Sequence, residues 1–381
     1  MQSIYLKQLL TDFSVKLKIN VSRLLILITF NFLLTQFTFC VNKRSMTVSE
    51  VNKTFGAGVN LSVFEHTWKP SESLLKTDVT PTLKEIAHHG FTTVRLPIAL
   101  DSFLNPNSSN IRPELLSKLK EIYFTCYNLK LKLILSYHYG FLNNDNLTQK
   151  NINHVSWIWK QVQQHFKGHG YDYLFFELYN EPTLTTENWK NTCEKLVSYL
   201  RHEDENRFYI VGGTNYNGLN DLMNLGKLKD NKLIYTFHFY EPYIFTHQGA
   251  DWTNNKTYMK GFPYPYKKRK MPNMSKEAKG TTVEKDYNKY YYEATKEYIN
   301  DRINQIANYC QKNNMTLICT EAGVIEFADE TSRVNYLRDI TQSMYQYNIP
   351  VMLWDYDQNF SIKKDSTNLL KPLESWIRKN K

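Results

Sequence analysis

Two glutamates stand where they could work as a pair. In Leu174-Phe-Phe-Glu-Leu-Tyr-Asn-Glu-Pro182 a run of strand-forming apolar residues ends abruptly in the polar, turn-forming Asn180-Glu181-Pro182. The same grammar returns late in the chain as Leu317-Ile-Cys-Thr-Glu-Ala-Gly323, where apolar and β-branched residues deliver Glu321 into a small-residue turn. In a barrel of parallel strands the active site lies at the C-terminal strand ends, so acids remote in sequence can meet across one mouth. A facing carboxyl pair is what glycoside hydrolysis requires. Other strand ends deliver Arg95, His138, His238, Tyr240 and Trp354. Taken singly, each has a structural explanation: an ion-pair arginine, a hydrogen-bonded histidine, a core ring. Their recurrence at the same end of successive strands argues for one shared site.

The elements that must position these residues alternate. A first strand over 55–62 precedes a short helix whose ends Thr80-Pro81 and Gly90 mark, with Thr80 as its cap. The strand Phe91–Pro97 follows, then a helix from Pro113 with Leu116, Leu119, Ile122 and Cys126 at helical spacing, and the strand Leu131–Tyr139. The alternation continues through a strand ending at Glu181, strands over 207–213 and 233–240, one long helix from Tyr291 to Cys310, a strand ending at Glu321 and a strand over 350–356. Eight strand-helix units close a (β/α)8 TIM barrel, an α/β fold, whereas a doubly wound sheet more often has five or six strands. No Gly-rich dinucleotide fingerprint is present. The longest connection, from Phe245 to about Asp286, follows the sixth strand and is expected to wall the cleft; it holds Trp252 and Phe262-Pro-Tyr-Pro-Tyr266.

Residues 1–45 differ in kind. Lys7, Lys16, Lys18 and Arg23 precede an apolar run from Leu24 to Cys40, which Asn42-Lys43-Arg44 ends. This is the pattern of an export leader, either cleaved as a signal peptide or kept as a membrane anchor. It predicts a single catalytic domain over 46–381 that acts as a monomer in a secreted or cell-envelope location, touching membrane only through an uncleaved leader. The formal charge is +10, and the leader's six basic residues and one acid account for half of it. What remains is mildly basic. Lys267-Lys268-Arg269-Lys270 reads as a solvated loop, and no nucleic-acid-binding signature accompanies it, so nucleic acid is not an expected partner. Past Cys40 the chain has Cys126, Cys193, Cys310 and Cys319, with no metal-knuckle spacing. Export would permit disulfides in any of three connectivities, whereas Cys126 and Cys319 read as small buried hydrophobes.

As an ordered set, Arg95 in Val-Arg-Leu-Pro, His138 in Leu-Ser-Tyr-His-Tyr, Asn180-Glu181-Pro182, His238-Phe-Tyr240, Glu321 in Thr-Glu-Ala-Gly and Trp354 in Met-Leu-Trp-Asp resemble glycoside hydrolase family 5, the cellulase and mannanase group of retaining barrel hydrolases. The resemblance spans roughly residues 55–380. The run from Tyr240 to Trp252 is also similar to bacterial endoglucanases of that family. The sequence departs from it at Ser136-Tyr-His-Tyr139, where many members carry Asp-X-His-His.

The resemblance implies cleavage of a β-linked polysaccharide, β-1,4-glucan first and mannan or β-1,3-glucan as alternatives, or else a glycan-binding barrel that has lost its chemistry. It implies Glu181 as acid/base and Glu321 as nucleophile, with Arg95 and Tyr240 holding Glu321 ionised. Asn180 would bond the sugar 2-hydroxyl, and His138 and His238 would orient substrate and acid. Trp354 would offer a ring face, with Trp252, Trp68 and Tyr266 as outer-subsite candidates. The double-displacement mechanism needs no metal or organic cofactor.

Overall fold

The computed structural model describes Glu50 and residues 55–253, 259–363 and 369–380. The leader expected over 1–45 lies outside them. Among the described residues no helix is long and apolar enough to cross a membrane.

Eight parallel strands close on themselves in sequence order: β1 Ala57–Asn60, β2 Thr93–Ile98, β3 Lys132–Tyr137, β4 Leu174–Glu177, β5 Tyr209–Gly212, β6 Leu233–Phe239, β7 Thr316–Ala322 and β8 Val351–Leu353. Every position of β2, β4, β5 and β6 is buried, because one strand face looks into the barrel and the other packs under helices. The period of two sorts the side chains. Ile134, Phe175, Ile210, Ile234, Ile318 and Met352 form a plug inside the barrel. Their neighbours Leu133, Leu135, Leu174, Phe176, Leu317 and Cys319 point outward into the main core beneath the helices. Two residues beyond the plug, the inward positions turn polar while staying buried, as Ser136, Glu177, Thr236 and Thr320. The barrel thus has a sealed floor and a polar mouth.

Element boundaries depart from the sequence expectation in informative places. The strand expected to end at Glu181 stops at Glu177, and Glu181 sits in the following loop with a left-handed backbone, φ 50°. Thr80 is the first helical residue of Thr80–His88 rather than its cap; the Asp78 carboxylate accepts from the Thr80 N–H at 2.9 Å. The single long helix is two, Thr282–Glu293 and Lys296–Lys312, because Thr295 caps the second by accepting from the Tyr298 N–H. The described parts of the connection after β6 are packed: Phe262 and Tyr264 are buried, and the Gln248 side-chain oxygen accepts from the N–H groups of Gly261 and Phe262. Cys126, Cys193, Cys310 and Cys319 are all buried free thiols. Of the two readings of the cysteines, the hydrophobic one holds.

Candidate active site

The barrel mouth is organised around Arg95, whose side chain is wholly buried. Its Nε and Nη2 donate to the two oxygens of Glu177, each at 2.7 Å, and its Nη1 donates to Glu321 Oε1 at 2.7 Å and Asn60 Oδ1 at 2.9 Å. Nη2 also reaches Ser136 Oγ at 3.0 Å and Asn180 Oδ1 at 2.7 Å. Burial opposes the charge on this guanidinium, but Glu177 and Glu321 more than offset it and raise its pKa. One arginine therefore ties together the ends of β1, β2, β3, β4 and β7.

Glu321 arrives by a departure from regular pairing. Alternation from Ile318 would turn Glu321 outward beside Cys319. The β6–β7 register instead slips by one residue, pairing Phe237 with Cys319 and His238 with Glu321, so that Thr320 and Glu321 both serve the interior. The second Glu321 oxygen accepts from the Tyr240 hydroxyl at 2.9 Å and lies 3.5 Å from His238 Nδ1. Burial, with Glu181 nearby, leaves the Glu321 carboxyl raised overall, although His238, Arg95 and the Tyr240 donor pull back toward the ionised form. Tyr240 itself is pushed well above its ordinary value by burial and by Glu321, so it remains a donor.

Glu181 sits across the gap. Its Oε1 lies 2.7 Å from His238 Nδ1, and its side chain keeps 29% exposure. Burial of the carboxyl, with Glu177 nearby, lifts its pKa to about 7 against the pull of Arg95. Oxygen and nitrogen atoms of Glu181, His238 and Glu321 fall within 4.8 Å of one another. Such a cluster would also suit a cation, but Arg95 and Tyr240 already occupy the oxygens of Glu321, and the arrangement is better fitted to moving protons. Burial lowers the His238 pKa to about 4, leaving a neutral ring.

The remaining predicted residues fall around this core. Asn180 Nδ2 meets His138 Nε2 at 3.1 Å, so its amide is fixed between Arg95 and His138. His138 is buried and neutral, its pKa well below the ordinary value through burial and Arg95, and its Nδ1 has no partner among the described residues. The Trp354 ring is 5.7 Å from the His138 ring and packs on the buried Ala250, Ile325 and Phe360. Trp252 is 53% exposed, and no contact among the described residues joins it to the carboxyls. Trp68 is 65% exposed beside His66, and Tyr266 packs against the core and Tyr290.

Sequence reasoning missed Glu177, Glu65, Tyr139 and Asn217. Glu177 carried a signal, as the one charged residue in an otherwise apolar strand. Glu65, after β1, is 4% exposed, and burial raises its pKa to about 7 although Tyr139 hydrogen-bonds it. Its Oε2 has no partner among the described residues. Ser136, the departure from the family pattern, stands against Arg95 rather than outside the network.

The chain matches the cellulase model, glycosyl hydrolase family 5, over residues 51–360. It belongs to that family. It is therefore a glycoside hydrolase, and the closed eight-strand barrel is the family's fold. Endoglucanase C of Acetivibrio thermocellus is 27% identical over 320 residues, covering 80% of this chain and 91% of that one. Endoglucanase 3 of Fibrobacter succinogenes is 28% identical over 305 residues, covering 74% of this chain but 46% of the relative, so this chain spans about half of that protein. A hyperthermophilic endo-β-1,4-glucanase solved with substrate superimposes with a TM-score of 0.70 at 25% identity, over 87% of this chain and 99% of the other.

Proposed function

We propose that this family 5 enzyme cleaves β-1,4-glucan with retention of configuration, using Glu321 as nucleophile and Glu181 as acid/base. The observation that carries the reading is the contrast between two neighbouring carboxyls. Glu321 is bracketed by Arg95 at 2.7 Å and the Tyr240 hydroxyl at 2.9 Å. Among the described residues the Glu181 side chain is hydrogen-bonded to neutral His238, and burial lifts its pKa to about 7 against the pull of Arg95. Burial raises both carboxyls, but two donors, one of them cationic, favour the ionised form of Glu321, and this contrast in neighbours supports the two roles. A separation under 4.8 Å between their nearest oxygens suits direct attack, since retaining enzymes place the two groups about 5–5.5 Å apart and inverting enzymes leave room for a water.

In the first step Glu321 attacks the anomeric carbon while Glu181 protonates the departing glycosidic oxygen. In the second, Glu181 takes a proton from water, which displaces Glu321 and restores both residues. Asn180, fixed by Arg95 and His138, presents its amide to the sugar 2-hydroxyl, and His138 Nδ1–H offers a further donor. Trp354 supplies a ring face beside the cleavage point, and exposed Trp68 and Trp252 are outer platforms. Similarity to the endoglucanases supports glucan as the substrate. The leader pattern supports export to the medium or envelope.

The experiment is product analysis on carboxymethyl-cellulose, mannan and laminarin. Soluble cello-oligosaccharides are expected from the first, with the β-anomer appearing before mutarotation. A preference for mannan or laminarin would move the substrate, and an initial α-anomer would remove the mechanism.

A further inference from the structure

After β5 the chain adopts an unfavourable backbone. Asn215, Tyr216 and Asn217 are three consecutive residues with left-handed conformations, φ 50°, 61° and 55°, which cost any L-residue free energy, though asparagine less than most. Such strain persists where surrounding structure over-determines it, and it concentrates at functional sites. Its product here is the placement of one amide. The Asn217 side chain is wholly buried and lies so close over Gly212 that a Cβ there would collide with both its Oδ1 and its Nδ2. From that position Nδ2 lies 3.2 Å from His238 Nε2.

We propose that Asn217 is a positioning residue that fixes the tautomer of His238 and, through it, the proton on Glu181. The inference rests on the acid/base reading of Glu181. A neutral imidazole carries one proton, and the partner of one nitrogen decides the state of the other. Nδ1 faces two carboxyls, Glu181 Oε1 at 2.7 Å and Glu321 Oε2 at 3.5 Å. Both are acceptors once ionised, so the proton belongs on Nδ1. Nε2 must then accept, and the Asn217 Nδ2–H donates to it. With Nδ1–H pointed at Glu181 Oε1, the proton that Glu181 delivers to the glycosidic oxygen resides on Oε2. The same imidazole N–H stabilises the Glu181 carboxylate between the two steps.

The charged and titratable groups around this pair are Arg95, His138, Tyr139, Glu177, Tyr240, Tyr243 and Glu321. All remain unchanged in the test. Asn217→Asp is close to isosteric and tolerates positive φ, but it sets an acceptor against Nε2. With the introduced carboxylate on one side and two carboxyls on the other, His238 becomes imidazolium, and a cation beside Glu181 favours its carboxylate.

The basic limb of the kcat/KM profile should therefore move down by roughly 1 pH unit. The activity on cello-oligosaccharides should fall about 10-fold or more, and that on an aryl cellobioside whose leaving group needs no protonation should fall much less. Asn217→Gly, which keeps the backbone geometry, should show the same leaving-group selectivity and serves if the Asn217→Asp variant does not fold. Nitrogen-15 NMR of histidine-labelled wild type should show His238 protonated at Nδ1.

Protonation at Nε2, or an unmoved basic limb with equal losses on both substrates, overturns the role of Asn217. The acid/base reading is tested separately by Glu181→Gln on the aryl substrate. If the basic limb survives in that variant, it is Glu181 that has been misassigned.

Discussion

Arg95 joins two buried carboxylates at the barrel mouth, Glu177 and Glu321. Its paired bonds to Glu177 fix the guanidinium, leaving Nη1 to donate to Glu321, a bond that favours the carboxylate against burial. Removing it would leave Glu177 buried without a counter-charge, so Arg95→Met is expected to lose about 3–5 kcal/mol in urea unfolding. The double variant Arg95→Met/Glu177→Gln should recover much of that stability and none of the activity. Recovery of activity would show that Glu321 does not depend on Arg95. Glu321→Gln and Glu181→Gln should both unfold near the wild-type midpoint. Glu321→Gln should lose nearly all turnover on every substrate, whereas Glu181→Gln should retain cleavage of activated aryl glycosides. That Arg95, Glu181 and Glu321 would meet at one barrel mouth was legible because type, order and strand-end position all pointed the same way, whereas Glu177 was passed over inside its apolar strand. Glu65 and Asn217 were not, since a lone acid and one asparagine among many in loops give no periodic signal. Their burial comes only from long-range packing.

At the scale of elements, alternation identified all eight strands but mispredicted where the chemistry leaves them. Glu181 lies four residues beyond the end of β4, and Glu321 faces the mouth only through the register slip in β7. A strict period of two would have turned Glu321 outward, and no local pattern announces a slip that the neighbouring strand imposes. The end of β7 is held tightly: the Trp354 N–H donates to the Ala322 carbonyl at 2.9 Å, and a Cβ on Gly323 would overlap the Trp354 carbonyl. The same backbone bond sets where the Trp354 ring stands relative to Glu321. Gly323→Ala is therefore expected to cost about 1–3 kcal/mol and to raise KM through a displaced Trp354 ring. Wild-type stability together with wild-type KM would mean that this crossing has slack.

For the molecule as a whole, the mouth of the barrel is where titratable groups are buried at a cost in stability. Glu65 has its pKa raised from 4.5 to about 7 by burial. The folded protein therefore binds more protons at this site than the unfolded chain between those values, and stability falls as pH rises through that window. Glu65→Gln removes this titration. Its melting temperature relative to wild type should climb between pH 4.5 and 7 and level off above, and a difference independent of pH would contradict the assignment. Buried His247 and His238 act in the opposite sense. Burial lowers them to about 3 and about 4, so the stability they contribute is lost as pH falls from about 6.5 toward those values.

All of this depends on which carboxyl bonds to the sugar. The direct measurement is to inactivate the enzyme with a 2-deoxy-2-fluoro-cellobioside carrying a good leaving group, then map the adduct by peptide mass spectrometry. One fluoro-cellobiosyl group per chain, on the peptide and residue of Glu321, is the predicted result. A label on Glu181, Glu177 or Glu65 instead would contradict the account.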